Sequence, residues 1–169
     1  MAEPADGPNS LVELEDRVLE WGKSRKDVRA VMVIGSRARD DHPADEWADV
    51  DFAITVKDPK KYMADRRWLA DIGEVSCCYP DPNPAGATLH TLFRTGIYAD
   101  LAFIPTGTIR QANTLVPWIR RLSPLLDRIP GSPLSGIRDQ IEETGEYYRR
   151  GYRVLLDKDD VAEIGRAHV

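Results

Sequence analysis

Residues 31–56 read VMVIGSRARDDHPADEWADVDFAITV, and the fold turns on how this stretch is parsed. Val31 to Ile34 close an apolar, partly β-branched run that begins at Val28 and stops at Gly35. That pattern predicts a buried strand ending in a glycine turn. Gly35-Ser36-Arg37 is expected to make the turn and to open a short helix over Arg37 and Ala38, whose backbone N–H groups would point at anionic oxygens. Asp40 to Ala48 is acidic and holds Pro43, so an exposed loop is expected there. A second strand starts at Asp49. With a period of two, Val50, Phe52, Ile54 and Val56 share one face, and Asp49, Asp51, Ala53 and Thr55 share the other. One face is apolar enough for a core; the other presents two carboxylates. Strand residues two apart lie roughly 6.6 Å from each other along the same face. Such a pair can converge on divalent cations, which two-metal centres space by about 3.5–4 Å. Carboxylate oxygen is the ligand that Mg²⁺ prefers, and a small-residue turn bearing a serine suits a polyphosphate.

Downstream, the chain supplies a partner for this pair. Thr88 to Arg94 and Ile97 to Ile104 read as strands joined around Thr95-Gly96, an antiparallel hairpin. Ile97, Ala99, Leu101 and Phe103 form the apolar face of the second strand, which leaves Asp100 opposite, with Tyr98 and Ala102. If that strand pairs beside Asp49–Val56, three carboxylates meet. Glu74 to Tyr79 reads as another strand and Pro80 to Gly86 (PDPNPAG) as a loop. Tyr152 to Leu156 reads as a short last strand.

Helices are expected to flank these strands. Ser10 and Glu13 form a capping box, and Leu11, Leu14, Val18 and Trp21 recur at helical spacing. A helix over Leu11 to Lys23 follows, with Trp21 as a packing residue. Asp58-Pro59 caps a second helix, Lys60 to Asp71, which Gly73 ends; Tyr62, Met63, Trp68 and Leu69 should be partly buried in it. Thr106 to Asp127 is helical in part, broken by Pro117 and Pro124, and Ile137 to Arg150 is helical. Residues 1–9 read as a frayed tail.

Composition bounds the function. The chain has 169 residues, 42% hydrophobic and 30% charged, as one soluble globular domain would. A net charge of −5 gives no general attraction to nucleic acid. The two cysteines, Cys77 and Cys78, are neighbours; they offer neither a disulfide framework nor zinc spacing and read as buried free thiols in a reducing cytoplasm. There is no apolar run of membrane-spanning length, no signal peptide pattern and no internal repeat. His42 has no metal partner at helical or strand spacing and reads as solvated.

A Gly-Ser turn followed by Asp-x-Asp on the next strand resembles the nucleotidyltransferase superfamily with the DNA polymerase β-like fold. Gly35 lies fourteen residues before Asp49 and the turn continues with Arg37. That is similar to the aminoglycoside 6-adenylyltransferase family, the streptomycin-modifying enzymes, whose pattern is Gly-Ser-Arg, a polar loop, then Asp-Tyr-Asp. Here Val50 replaces the middle tyrosine and Arg39 stands where the family usually has asparagine. The resemblance covers roughly Leu11 to Asp160 and extends to GYRVLLDKD, residues 151–159, which is similar to the end of the family's nucleotidyltransferase domain. It implies an α/β (α+β) fold, a mixed β-sheet flanked by helices. It also implies that Asp49, Asp51 and Asp100 hold two Mg²⁺ ions, with Asp100 taking the proton from the acceptor hydroxyl. Gly35, Ser36 and Arg37 would bind the nucleotide, ATP. The organisation expected is a tail over residues 1–9, a nucleotidyltransferase domain over 10–160 and a second tail over 161–169. The helical C-terminal domain of the family is expected to be absent.

The leading reading is transfer of AMP from ATP to a hydroxyl of an aminoglycoside such as streptomycin, in the cytoplasm, without nucleic-acid or membrane partners. The acidic residues Asp40, Asp41, Asp45 and Glu46 would favour a polycationic drug. Another class stays open: a nucleotide-binding or partner-binding module without independent catalysis, completed by a homodimer or by a separate partner in place of the helical domain. A third reading is a nucleotidyltransferase with another acceptor, such as a lincosamide or a protein.

Overall fold

The computed structural model describes residues 7–38, 49–83, 86–108 and 152–158. Helix α1 (Leu11–Ser24) starts where the capping box put it. The Ser10 side chain accepts from the Glu13 N–H at 3.1 Å, and the Glu13 carboxylate reaches back to the N–H of Asn9 at 2.8 Å. Strand β1 (Val28–Ile34) leads into a 3₁₀ turn over Gly35–Ala38, and β2 (Val50–Val56) follows. Helix α2 (Pro59–Ala64) and a second 3₁₀ turn (Arg67–Asp71) precede β3 (Val75–Asn83), β4 (Gly86–Phe93) and β5 (Tyr98–Pro105); β6 (Tyr152–Asp157) is the last described element.

The six strands form one mixed sheet in the order β3-β4-β5-β2-β1-β6. All neighbours are antiparallel except β2 and β5, which run parallel at the centre of the sheet. The expected mixed sheet with flanking helices is therefore observed. Val50, Phe52, Ile54 and Val56 are buried as the alternation requires, as are Ala99, Leu101 and Phe103; on the opposite face of β2 Asp51 is partly exposed, but Ala53 and Thr55 are buried too. Against the first face pack Leu14, Val18 and Trp21 of α1, Tyr62 of α2, and Trp68, Leu69 and Ile72. An aromatic cluster forms the centre of that layer. Trp21 lies 4.8 Å from Trp68 between ring centroids, Tyr62 stacks on Phe103 at 4.9 Å, and the Trp68 indole N–H donates to the Tyr62 carbonyl at 3.1 Å. Helix α1 approaches the sheet closely at Gly22, where an added Cβ would come within 3.0 Å of Val31.

Four expectations are corrected. The second helix does not run to Asp71. It stops at Asp65, whose carboxylate accepts from the Arg67 N–H at 3.1 Å and clamps the Arg67 guanidinium; this local hydrogen bonding competes with the helical ladder. The Pro80–Gly86 loop is mostly strand, because β3 continues to Asn83. β3 lies at the sheet edge, where Pro80 and Pro82, two apart, both turn their missing N–H away from β4. For the same reason the thiols are not buried: Cys77 is exposed and Cys78 intermediate. The N-terminal tail is shorter than expected, since Gly7 and Pro8 are buried and the Pro8 carbonyl accepts from the Thr95 hydroxyl at 2.5 Å. The expected helices beyond Thr108, the acidic loop 40–48 and His42 lie outside the described residues.

Truncating Trp21 to alanine should lower unfolding free energy by about 3–5 kcal/mol in urea titrations. Val12→Ala, at a position 61% exposed on the same helix, should stay within about 0.5 kcal/mol of the parent. Equal midpoints for the two would deny the aromatic cluster its central place.

Candidate active site

The direction of the strands brings the glycine turn and the carboxylates together. β1 ends where antiparallel β2 begins, so Ile34, the residue before Gly35, pairs with Asp51. Gly35 has φ of 75°, in the left-handed region that glycine enters without strain. Ser36 is exposed on the turn. β5 runs parallel to β2 with Asp51 opposite Asp100, so the two carboxylates stand on strands about 4.8 Å apart. The condition set by the sequence is thus met for this pair. Asp49 sits just ahead of β2 and is exposed.

The row continues outward. His90 pairs with Asp100 across β4 and β5, and Tyr79 pairs with His90 across β3 and β4. The His90 Nδ1 lies 2.7 Å from Asp100 Oδ1 and 2.9 Å from the Tyr98 hydroxyl. Its Nε2 is 3.9 Å from Asp81 Oδ2, and its ring stacks on Tyr79 with centroids 4.6 Å apart. Sequence reasoning missed His90. The signal was present in the hairpin: His90 and Asp100 each lie five residues from Thr95, and an antiparallel hairpin centred there must set them opposite each other.

Electrostatics mark this row. Burial, then the charges of Asp49 and Asp100, push the Asp51 carboxyl up from its ordinary value of 3.8 to about 6, and His90 opposes the shift. The Tyr98 hydroxyl is likewise pushed up, by burial first and then by its hydrogen bond to Asp100. Among the described residues no three His, Cys, Asp or Glu side chains are gathered closely enough to hold a metal ion. The expected set of Asp49, Asp51 and Asp100 is therefore not closed into a cage. Asp51 and Asp100 share a row, whereas Asp49 precedes the strand, and like charges oppose closer approach. The donor chemistry still fits a divalent cation, since every candidate ligand is a carboxylate oxygen and the charge that displaces Asp51 has only His90 against it.

Arg37, expected to bind the nucleotide, is paired with a buried carboxylate of α1. Its Nε and Nη2 each lie 3.3 Å from Glu15 Oε1 of α1. Glu15, only 6% exposed, also accepts from Arg153 of β6 at 2.5 Å. Sequence reading missed this buried carboxylate because it lies on the otherwise apolar side of α1 and its partners are far away in the chain. A buried charge requires such pairing. The arrangement can offer Ser36 and the turn's backbone N–H groups to an anion, with Arg37 bracing the turn from α1.

The raised Asp51 pKa has a stability consequence. A carboxyl whose folded value exceeds its unfolded value loses stability as pH climbs from about 4 to about 6, and the penalty is constant above that. Asp51→Asn should therefore be more stable than the parent by roughly 1–3 kcal/mol at pH 7.5 in chelator. The gap should close near pH 4. Thermal melts at the two pH values check this; a variant no more stable at pH 7.5 would contradict the electrostatic reading.

Comparison with known proteins adds to this geometry. The family model described as streptomycin adenylyltransferase matches residues 9–166. An aminoglycoside 6-adenylyltransferase of Campylobacter jejuni is 29% identical over 123 residues, which cover 69% of this chain and 42% of that protein. A solved aminoglycoside 6-adenyltransferase of Bacillus subtilis is 21% identical, with a TM-score of 0.45, over 60% of this chain and 36% of the other. The chain thus spans less than half the length of these relatives.

Proposed function

The chain belongs to the streptomycin adenylyltransferase family, and we propose that it transfers AMP from ATP to a hydroxyl of an aminoglycoside such as streptomycin. The observation that carries this reading is the meeting of the Gly35-Ser36 turn with Asp51 and Asp100 at one end of the parallel β2–β5 pair. The turn would cradle the β- and γ-phosphates through its backbone N–H groups and the Ser36 hydroxyl. Arg37 would hold the turn by way of Glu15 and turn its remaining N–H groups to the phosphates. Asp49, Asp51 and Asp100 would hold Mg²⁺, which when bound polarises the α-phosphate and lowers the pKa of the acceptor hydroxyl. Asp100 would accept the hydroxyl proton. The acceptor oxygen then bonds to the α-phosphorus, the bond to the β-phosphate oxygen breaks, and pyrophosphate leaves. Such catalysis is chiefly positioning and electrostatics.

The acceptor class is supported by charge. The chain carries −5 overall, and carboxylates crowd the site, which favours a polycation over nucleic acid. The proposed setting is the cytoplasm, which supplies ATP and keeps thiols free. No helix among the described residues is long and apolar enough to cross a membrane. A second reading is a nucleotide- or partner-binding module without independent catalysis, favoured by a turn that offers its backbone N–H groups to an anion.

Incubation with ATP, Mg²⁺ and streptomycin, followed by mass spectrometry, should show one added AMP. Asp51→Asn should lower the rate by at least 10²–10³-fold, roughly the loss of one stabilising group. Asp100→Asn should cost about 10²–10⁴-fold, as loss of a general base does. Retained turnover in either variant would refute the site. Mg²⁺-dependent ATP binding without transfer would favour the second reading.

A further inference from the structure

His90 is a half-buried titratable side chain that the proposed reaction does not use, and its surroundings define a role. Its side chain is 17% exposed and it sits between two strands, one bearing Asp100 and the other Tyr79. An ionised carboxylate only accepts hydrogen bonds. At 2.7 Å from Asp100 Oδ1, Nδ1 must therefore carry a proton and donate it. Tyr98, two residues before Asp100 on the same face of β5, places its hydroxyl oxygen 2.9 Å from the same Nδ1. With Nδ1 as the donor, the phenol oxygen is a second acceptor for that proton and holds the ring from the other side. Stacking on Tyr79 fixes the plane of the imidazole. The carboxylate is thus held by a ring whose own rotation is blocked.

We propose that His90 is a positioning residue for Asp100, fixing its carboxylate through Nδ1–H, with the ring itself held by the Tyr98 hydroxyl and by Tyr79, in the orientation that faces the acceptor beside Asp51. The inference rests on the AMP-transfer reading of Asp100. It assigns His90 no contact with ATP or acceptor. A free carboxylate rotates about its last torsion and leaves its sheet row at little cost; one tied on an oxygen by a donor on a fixed ring does not. Partners of this kind around a ligand or base typically govern activity or metal affinity by 10–100-fold. The effect should fall on the chemical step and on ion affinity, not on capture of the nucleotide at the Gly35-Ser36 turn.

Two substitutions separate the hydrogen bond from simple packing. The amide nitrogen of His90→Asn falls near the Nδ1 position and still donates. His90→Phe keeps a flat ring against Tyr79 but cannot donate. Thermal melts confirm that both fold. His90→Phe should lower kcat by about 10–100-fold with the KM for ATP within about twofold, and should weaken Mn²⁺ binding, followed by electron paramagnetic resonance, by about tenfold. His90→Asn should recover most of both. Equal activity in the parent and both variants would overturn the proposal, as would equal impairment of the two, which would mark His90 as packing alone. A readout independent of catalysis is the nitrogen-15 spectrum of labelled histidines, with the His90 signal assigned by its loss in His90→Asn. A proton on Nδ1 in the parent that moves to Nε2 in Asp100→Asn supports the clamp; Nε2–H in the parent overturns it. Should the parent transfer no AMP, the proposed function fails, and this spectrum alone decides the clamp.

Discussion

Parallel pairing of β2 with β5 is the constraint on which the remaining architecture depends. Two parallel neighbours cannot be joined by a tight turn and need a crossover. Here the crossover is α2, the second 3₁₀ turn and the β3–β4 hairpin, which carries the chain across the core face before β5 returns beside β2. The pairing fixes Asp51 opposite Asp100 without any contact between their side chains, because it is the backbone ladder that sets the register. A slip of one residue would turn Asp100 into the core and Leu101 out of it. The burial of Ala99, Leu101 and Phe103 therefore selects the register, and the site is a by-product of apolar packing on the opposite face.

The parts of the fold legible in the sequence were those governed by short-range rules. Alternation gave the core faces of β2 and β5, Gly35 gave the turn, and Ser10 with Glu13 gave the start of α1. The hairpin around Thr95-Gly96 was visible for the same reason. What escaped depended on position in the sheet or on distant partners. Pro80 and Pro82 read as loop residues until β3 is known to be an edge. Cys77 reads as buried until the same fact is known. Asp65 breaks a helix through a side-chain bond that competes with an otherwise good helical pattern. The pairing of Arg37 with Glu15, 22 residues earlier, joins two elements that no local pattern links. His90 was hidden because alternation places it on the open face of β4 while only the hairpin register tells what stands opposite.

The site also carries a tension that the fold tolerates. Burial of apolar side chains in the core among the described residues supplies the stabilisation that lets Asp51 remain partly desolvated beside two like charges. Active sites are where such perturbed groups collect; the hydrogen bond from His90 answers Asp100 directly, and His90 offsets the repulsion at Asp51 only in part. The charge left at Asp51 is what a positive ligand would answer.

The Glu15 cluster has a consequence for the order in which the molecule is made. Glu15 is answered by Arg37 nearby in the chain, but also by Arg153, 138 residues later. In the same segment Lys158 caps the end of α1 by donating to the Gly22 carbonyl at 3.0 Å and the Arg25 carbonyl at 2.7 Å. During synthesis α1 and β1 therefore emerge with a carboxylate that Arg37 answers only in part and with an open sheet edge, and both wait for β6. Contacts of such long sequence separation slow folding, and an unpaired edge can template association with another nascent chain. The strand that does least for the chemistry would thus act as the latch on the nascent chain, closing the domain only once nearly all of it has left the ribosome.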